Sequence, residues 1–172
     1  QVHAAVANVA VLQGSLLEDG SADLVSATPM SILWTEKSSI DPTAFAHSLD
    51  DATKLVVQKD GDYLVAATVP LISVDTADNR PSQVIEIYVN GEPVPGTVGQ
   101  SSYIRNQPRN ANMQQESSDH IHALLTGLSA NDVIELRIHK HTRVAQATGI
   151  QTASLYAELI DSSRTVFAGL SS

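Results

Sequence analysis

Cysteine is absent from the 172 residues, so disulfide staples, thiolate metal centres and a cysteine nucleophile are excluded together. Charge is scarce. Only 17% of residues are charged against 42% apolar, the opposite of the balance that keeps chains disordered. The ten basic residues are outnumbered by 19 acidic ones and are scattered. No continuous positive face is available to neutralise phosphates, so nucleic acid is not an expected partner. No apolar run approaches the roughly 20 residues a helix needs to span a bilayer, and an acidic surface repels anionic headgroups, so membrane insertion is not expected. There is no Asn-x-Ser/Thr acceptor for N-glycosylation. Gly-x-Ser-x-Gly, His-Glu-x-x-His and a glycine-rich phosphate loop are also missing, and with them the common signatures of hydrolysis and phosphoryl chemistry. No enzyme and no cofactor are expected.

What is present is alternation. Period-two runs rich in Val, Ile, Thr and Tyr recur between Gly, Asp, Asn and Pro clusters, and no segment keeps a helical stripe for three turns. Val2 to Leu12 is the first predicted strand, ended at Gln13-Gly14. Short runs follow at Leu24 to Ser26 and Ile32 to Thr35, with Pro29 as a break between them. Glu36 to Asp51 is polar and predicts a loop with one brief strand or turn at Phe45. Leu55 to Gln58 and Tyr63 to Ile72 predict a hairpin closed at Lys59 to Asp62, where Gly61 supplies a positive φ. Val84 to Val89 stops at the turn dipeptide Asn90-Gly91, and Pro93 and Pro95 keep the next residues out of a sheet interior. Gly99 to Glu116 predicts a polar connection with room for a short strand at Tyr103 to Arg105. His120 to Leu125, Val133 to Lys140 and Ala153 to Leu159 complete the set.

About eight to ten strands in 172 residues cannot share one half-exposed sheet, because their apolar faces need a second layer. The expected fold is all-β, a two-sheet antiparallel sandwich of jelly-roll type. At this length one domain is the default: residues 1–172, with an N-terminal strand extension over 1–13 and a C-terminal extension over 161–172. The chain begins at Gln1 rather than Met, which predicts a product that has lost an export signal and works outside the cell or on its surface.

Four segments carry a family resemblance. They are Thr53-Lys-Leu-Val-Val-Gln-Lys-Asp-Gly-Asp-Tyr-Leu-Val, Ile85-Glu-Ile-Tyr-Val-Asn-Gly-Glu-Pro-Val, Leu124-Leu-Thr-Gly-Leu-Ser-Ala-Asn-Asp-Val-Ile-Glu-Leu-Arg and Ala153-Ser-Leu-Tyr-Ala-Glu-Leu-Ile. In this order, over roughly Ile32 to Ile160, they resemble the tumour necrosis factor and complement globular-head superfamily. The resemblance implies a ten-stranded jelly roll that assembles as a trimer.

Several side-chain groups invite a chemical reading. His120 with His122, and His139 with His141, stand at the i, i+2 spacing that puts both rings on one face of a strand, a workable metal grip. Alternation turns all four outward, and a jelly roll places the two strands in opposite sheets; ordinary surface histidines satisfy the same pattern. Asp75, Asp78 and Asn79, and separately Asp60 and Asp62, offer oxygen ligands but fall short of a calcium loop's count, and turn chemistry explains both, as it does Asp50-Asp51. Trp34 is either a sugar-stacking platform or, in a protein with 4% aromatics, a core anchor.

The N-terminal run is the strongest signal. Both alternation classes of Val2 to Leu12 are apolar and no Lys, Arg, Asp or Glu occurs from Gln1 to Leu17. Such a strand is hazardous at an edge. It is therefore either an internal strand or an intersubunit contact through Val2, Ala4, Val6, Val9, Val11 and Leu12. The expected function is an extracellular, non-enzymatic structural subunit whose partners are copies of itself. It would assemble into a filament, tube or surface layer by strand addition or sheet-face contacts. The alternative is a trimeric adhesion head or carbohydrate-binding module that meets surface glycans.

Overall fold

Alternating burial along each run sets the strands. The computed structural model describes residues 5–15, 27–73, 82–100, 116–141, 148–150 and 152–160. Val2, Ala4, the predicted short strands at 24–26 and 103–105, the Asp75, Asp78 and Asn79 group and the extension 161–172 lie outside the described residues. The strands are β1 (Val9–Ser15), β2 (Met30–Ser31), β3 (Leu33–Ile40), β4 (Phe45–Ala46), β5 (Leu55–Val57), β6 (Gly61–Ser73), β7 (Gln83–Val89), β8 (Glu92–Gln100), β9 (Glu116–Leu128), β10 (Val133–Lys140), β11 (Thr148–Ile150) and β12 (Ala153–Ile160), with a 3-10 turn at Leu49–Asp51.

They form two antiparallel sheets packed as a jelly-roll sandwich. In the first, β6 lies between β9 on one side and β12, continued by β11, on the other; β1 and β3 follow β12. The second runs β4, β5, β10, β7, β8, with β2 added alongside β10. Leu12, Trp34, Phe45, Tyr63, Leu71, Ile85, Ile87, Ile134 and Leu136 are fully buried between the sheets, each worth roughly 1.5–3 kcal/mol of transfer free energy. Phe45 meets Tyr63 edge to face at 5.5 Å. The Tyr63 hydroxyl donates to the Lys59 carbonyl at 2.7 Å, so the buried ring keeps its polar end satisfied.

The turn at Gly61 is real but does not close a hairpin. β5 belongs to the second sheet and β6 to the first, so Gly61, at φ +154, carries the chain across the sandwich. The flanking carboxylates hold it there: Asp60 accepts from the Ala130 N–H and Asp62 from the Gly127 N–H, each at 2.8 Å. Asn90-Gly91 is a true two-residue hairpin between β7 and β8, both residues at positive φ as a type I′ turn requires. β8, with its prolines, is the outer strand of its sheet.

Further expectations need correction. The first strand does not stop at Gly14 but runs through it, because a glycine is what lets β1 approach β3; a Cβ there would lie 1.7 Å from the Leu33 carbonyl oxygen. β1 is paired on both edges, to β12 and to β3, so strand addition at β1 is ruled out. Leu12, with no exposed surface, belongs to the chain's own core rather than to a subunit contact. Trp34 is also fully buried, which ends its reading as a sugar platform and fits the core anchor.

Candidate self-association face

The outer face of the first sheet is apolar or uncharged along most of its middle. On the first sheet, alternation turns Val9, Val11, Gln13 and Ser15 outward on β1, with Leu64, Ala66, Thr68, Pro70 and Ile72 on β6 and Ser154, Tyr156, Glu158 and Ile160 on β12. Cross-strand register assembles them into rows. Leu64 lies opposite Leu124 and Glu158; Ala66 lies opposite His122 and Tyr156; Tyr156 in turn faces Val11. Leu124 is 53% exposed. Glu158 is the one carboxylate in the interior of this set. Its Oε2 accepts from the Tyr156 hydroxyl at 2.8 Å, and that hydrogen bond to the charged oxygen, with some burial, raises the tyrosine's pKa.

The second sheet's outer face is already closed by its own polar groups. Glu135 points outward yet is only 7% exposed. It accepts from the Ser31 hydroxyl at 2.6 Å and from Arg137 Nη2 at 3.1 Å, while the Arg137 guanidinium stacks 4.2 Å over the Tyr88 ring. Burial pushes the Glu135 carboxyl up, but the Ser31 and Arg137 hydrogen bonds outweigh it and hold the pKa below the usual range. These groups satisfy one another within their own sheet.

One end of the sandwich is built from carboxylate-pinned turns. Asp41 accepts from the Asn8 N–H at 2.6 Å and the Thr43 N–H at 2.9 Å. Those bonds, that to Asn8 first, lower its pKa. Asp132 is lowered likewise by the Asn90 side chain and then the Ser129 N–H. Asp60 and Asp62 accept from backbone N–H groups in the same way, so their oxygens serve turn chemistry. Among the described residues no cluster of three or more His, Asp or Glu is placed to hold a metal.

Of the residues expected at a subunit contact, Val11 reaches the outer face, Val9 lies on it at 7% exposure, Val6 is 58% exposed ahead of β1, and Leu12 points inward. The face also draws in Leu64, Ala66, Tyr156 and Leu124, which sequence reasoning passed over. The signal was available in Tyr63 to Ile72, where both alternation classes are apolar just as in the N-terminal run.

Neither protein-family models nor curated proteins match the sequence. Solved structures match the fold across most of the chain. The PRD1 vertex protein P5 aligns with TM-score 0.58 at 13% identity, covering 92% of this chain and 100% of that one. Eiger TNF from S. frugiperda aligns at 0.55 and 15%, covering 89% and 92%. Murine APRIL at pH 8.5 aligns at 0.52 and 12%, covering 88% and 99%. At such identities the likeness is one of fold. The fold is a jelly roll like that of these structures.

Proposed function

We propose that this protein is an extracellular, non-enzymatic structural subunit or head that self-associates into a closed homo-oligomer through the outer face of β9, β6, β12, β1 and β3. The observation that carries the reading is the apolar and uncharged middle of this face, with Asp62, Glu36, Lys37 and Glu116 confined to its margins. In a chain of net charge −9, the three central strands of this face present a single interior carboxylate, already hydrogen-bonded to Tyr156. Large uncharged faces on soluble domains mark interaction sites.

Closure is part of the proposal. With both edges of β1 occupied, strand addition at β1 is unavailable, and the proposed contact uses the outer face of the sheet. A single such contact repeated about a rotation axis gives a ring, whereas a filament needs an operation that does not close. The trimer is the ring that the family resemblance implies.

Val11→Glu tests this. The side chain points outward, so the monomer tolerates it at a cost of about 1 kcal/mol in strand preference, while a contact would bury an unpaired carboxylate at several kcal/mol. Sedimentation velocity should show wild type as a multiple of the chain mass and Val11→Glu shifted toward monomer. Val98→Glu, at a 56% exposed site on the other sheet, should behave as wild type. A wild-type chain that stays monomeric over a wide concentration range, or a Val11→Glu variant with unchanged mass, overturns the proposal.

A further inference from the structure

We propose that His120 and His122 form a bidentate chelate for a zinc-like divalent transition metal on the outer face of β9, the marginal strand of the proposed contact face, with water completing the coordination. Both rings project from the same side of one strand and both are exposed. Strand rise sets their Cα atoms about 6.8 Å apart, within which two imidazoles converge on an ion at metal–nitrogen distances of about 2.0–2.1 Å. The residues opposite them on β6 are small: Thr68 faces His120 and Ala66 faces His122. No Lys or Arg opposes either ring in that register, and the chain's net charge of −9 favours a cation.

Thr68 adds the orienting partner that metal-binding histidines use. Its hydroxyl lies 3.2 Å from His120 Nδ1. When the hydroxyl accepts the Nδ1 proton, Nε2 presents its lone pair outward, the arrangement that fixes tautomer and ring position at metal sites. The other described histidines lack this freedom. His47 has both ring nitrogens 2.7 Å from carbonyl oxygens of Lys54 and Trp34. His139 holds the Lys140 carbonyl at 2.8 Å, and its i+2 neighbour His141 lies past the end of β10. An imidazole is the ligand type that zinc, copper and nickel favour over calcium or magnesium.

Calorimetric titration of the untagged chain with zinc chloride tests the site. Wild type should bind zinc, and Thr68→Val, which removes only the orienting hydroxyl, should weaken binding about tenfold. His120→Ala and His122→Ala should each weaken it more, and His139→Ala should leave it unchanged. All four positions are at the surface, and circular dichroism checks that each variant is folded. Repeating the titration in Val11→Glu, two strands away from Ala66 in the same row, separates loss of chelation from loss of assembly. Absence of zinc binding in wild type, or binding in His122→Ala as tight as wild type, overturns the assignment.

Discussion

Replacing Gly14 by alanine puts two opposing effects in competition, and the coordinates decide between them. Alanine restricts the unfolded chain and, where it fits, stabilises by about 0.4–1 kcal/mol. Here it does not fit. The added Cβ would stand 1.7 Å from the Leu33 carbonyl oxygen, 2.6 Å from its carbon and 2.9 Å from Trp34 Cα. Contact between heavy atoms is comfortable near about 3.5 Å, so β3 must retreat by roughly 1.8 Å. All three obstructing atoms are backbone, and they are anchored: Trp34 N–H donates to the Ala52 carbonyl at 2.8 Å, and Ile32 N–H to that of Leu136 at 2.9 Å. Overpacking against side chains that yield costs about 1–3 kcal/mol; against an anchored backbone the upper end of that range is the floor. A net loss of about 3 kcal/mol or more lowers Tm by roughly 6–12 °C for a domain of this size. Thermal unfolding followed by circular dichroism measures it. A Gly14→Ala variant with unchanged or higher Tm would refute the close approach of β1 to β3.

The carboxylates of Asp41, Asp132 and Glu135 have lowered pKa values in the folded chain, so the unfolded chain takes up protons first as pH falls. Their contribution is fully present above the ordinary carboxylate pKa of about 4 and is lost as acid titrates them below it. Urea midpoints from pH 7 to pH 3 should fall with acidification, and Glu135→Gln should be weaker at neutral pH by about 1–3 kcal/mol with a smaller fall in acid. A midpoint independent of pH contradicts this. Trp34 is the lone tryptophan and fully buried, so its fluorescence should be blue-shifted, resistant to acrylamide and unmoved by sugars until the chain unfolds; free quenching in the native state would disprove the burial.

Much of the sandwich was legible because its faces are asymmetric. Val133 to Lys140 alternates cleanly, and Ile134, Leu136 and Ile138 point inward as the pattern requires. The placement of the two histidine pairs on strands of opposite sheets followed from the expected jelly-roll topology and holds for His120, His122 and His139. Alternation fails where both faces are covered. Val9 to Leu12 reads apolar on each side because one face meets the core and the other lies on the largely apolar outer surface of the sheet, and nothing local distinguishes that from an edge awaiting a partner. The sheet change at Gly61 was hidden for a related reason: a glycine turn between two strand patterns looks the same whether the strands pair with each other or with different sheets. Glu36 to Ile40 reads as loop because its exposed polar side chains hide a strand that is paired to β1 through the backbone.

The pairing of the first described strand with the last, Val9 opposite Glu158, has a consequence for how the molecule is made. Contacts between residues so distant in sequence close slowly. A ribosome releases β1 long before β12, so β1 emerges with at best β3 for company and its other edge open. For that interval the newborn chain displays an apolar ribbon with unpaired amides, the kind of surface that aggregates or that chaperones occupy. The feature that makes the finished sheet secure, its first strand locked between neighbours, makes the unfinished one the point of greatest exposure, and synthesis rate rather than final stability then governs yield.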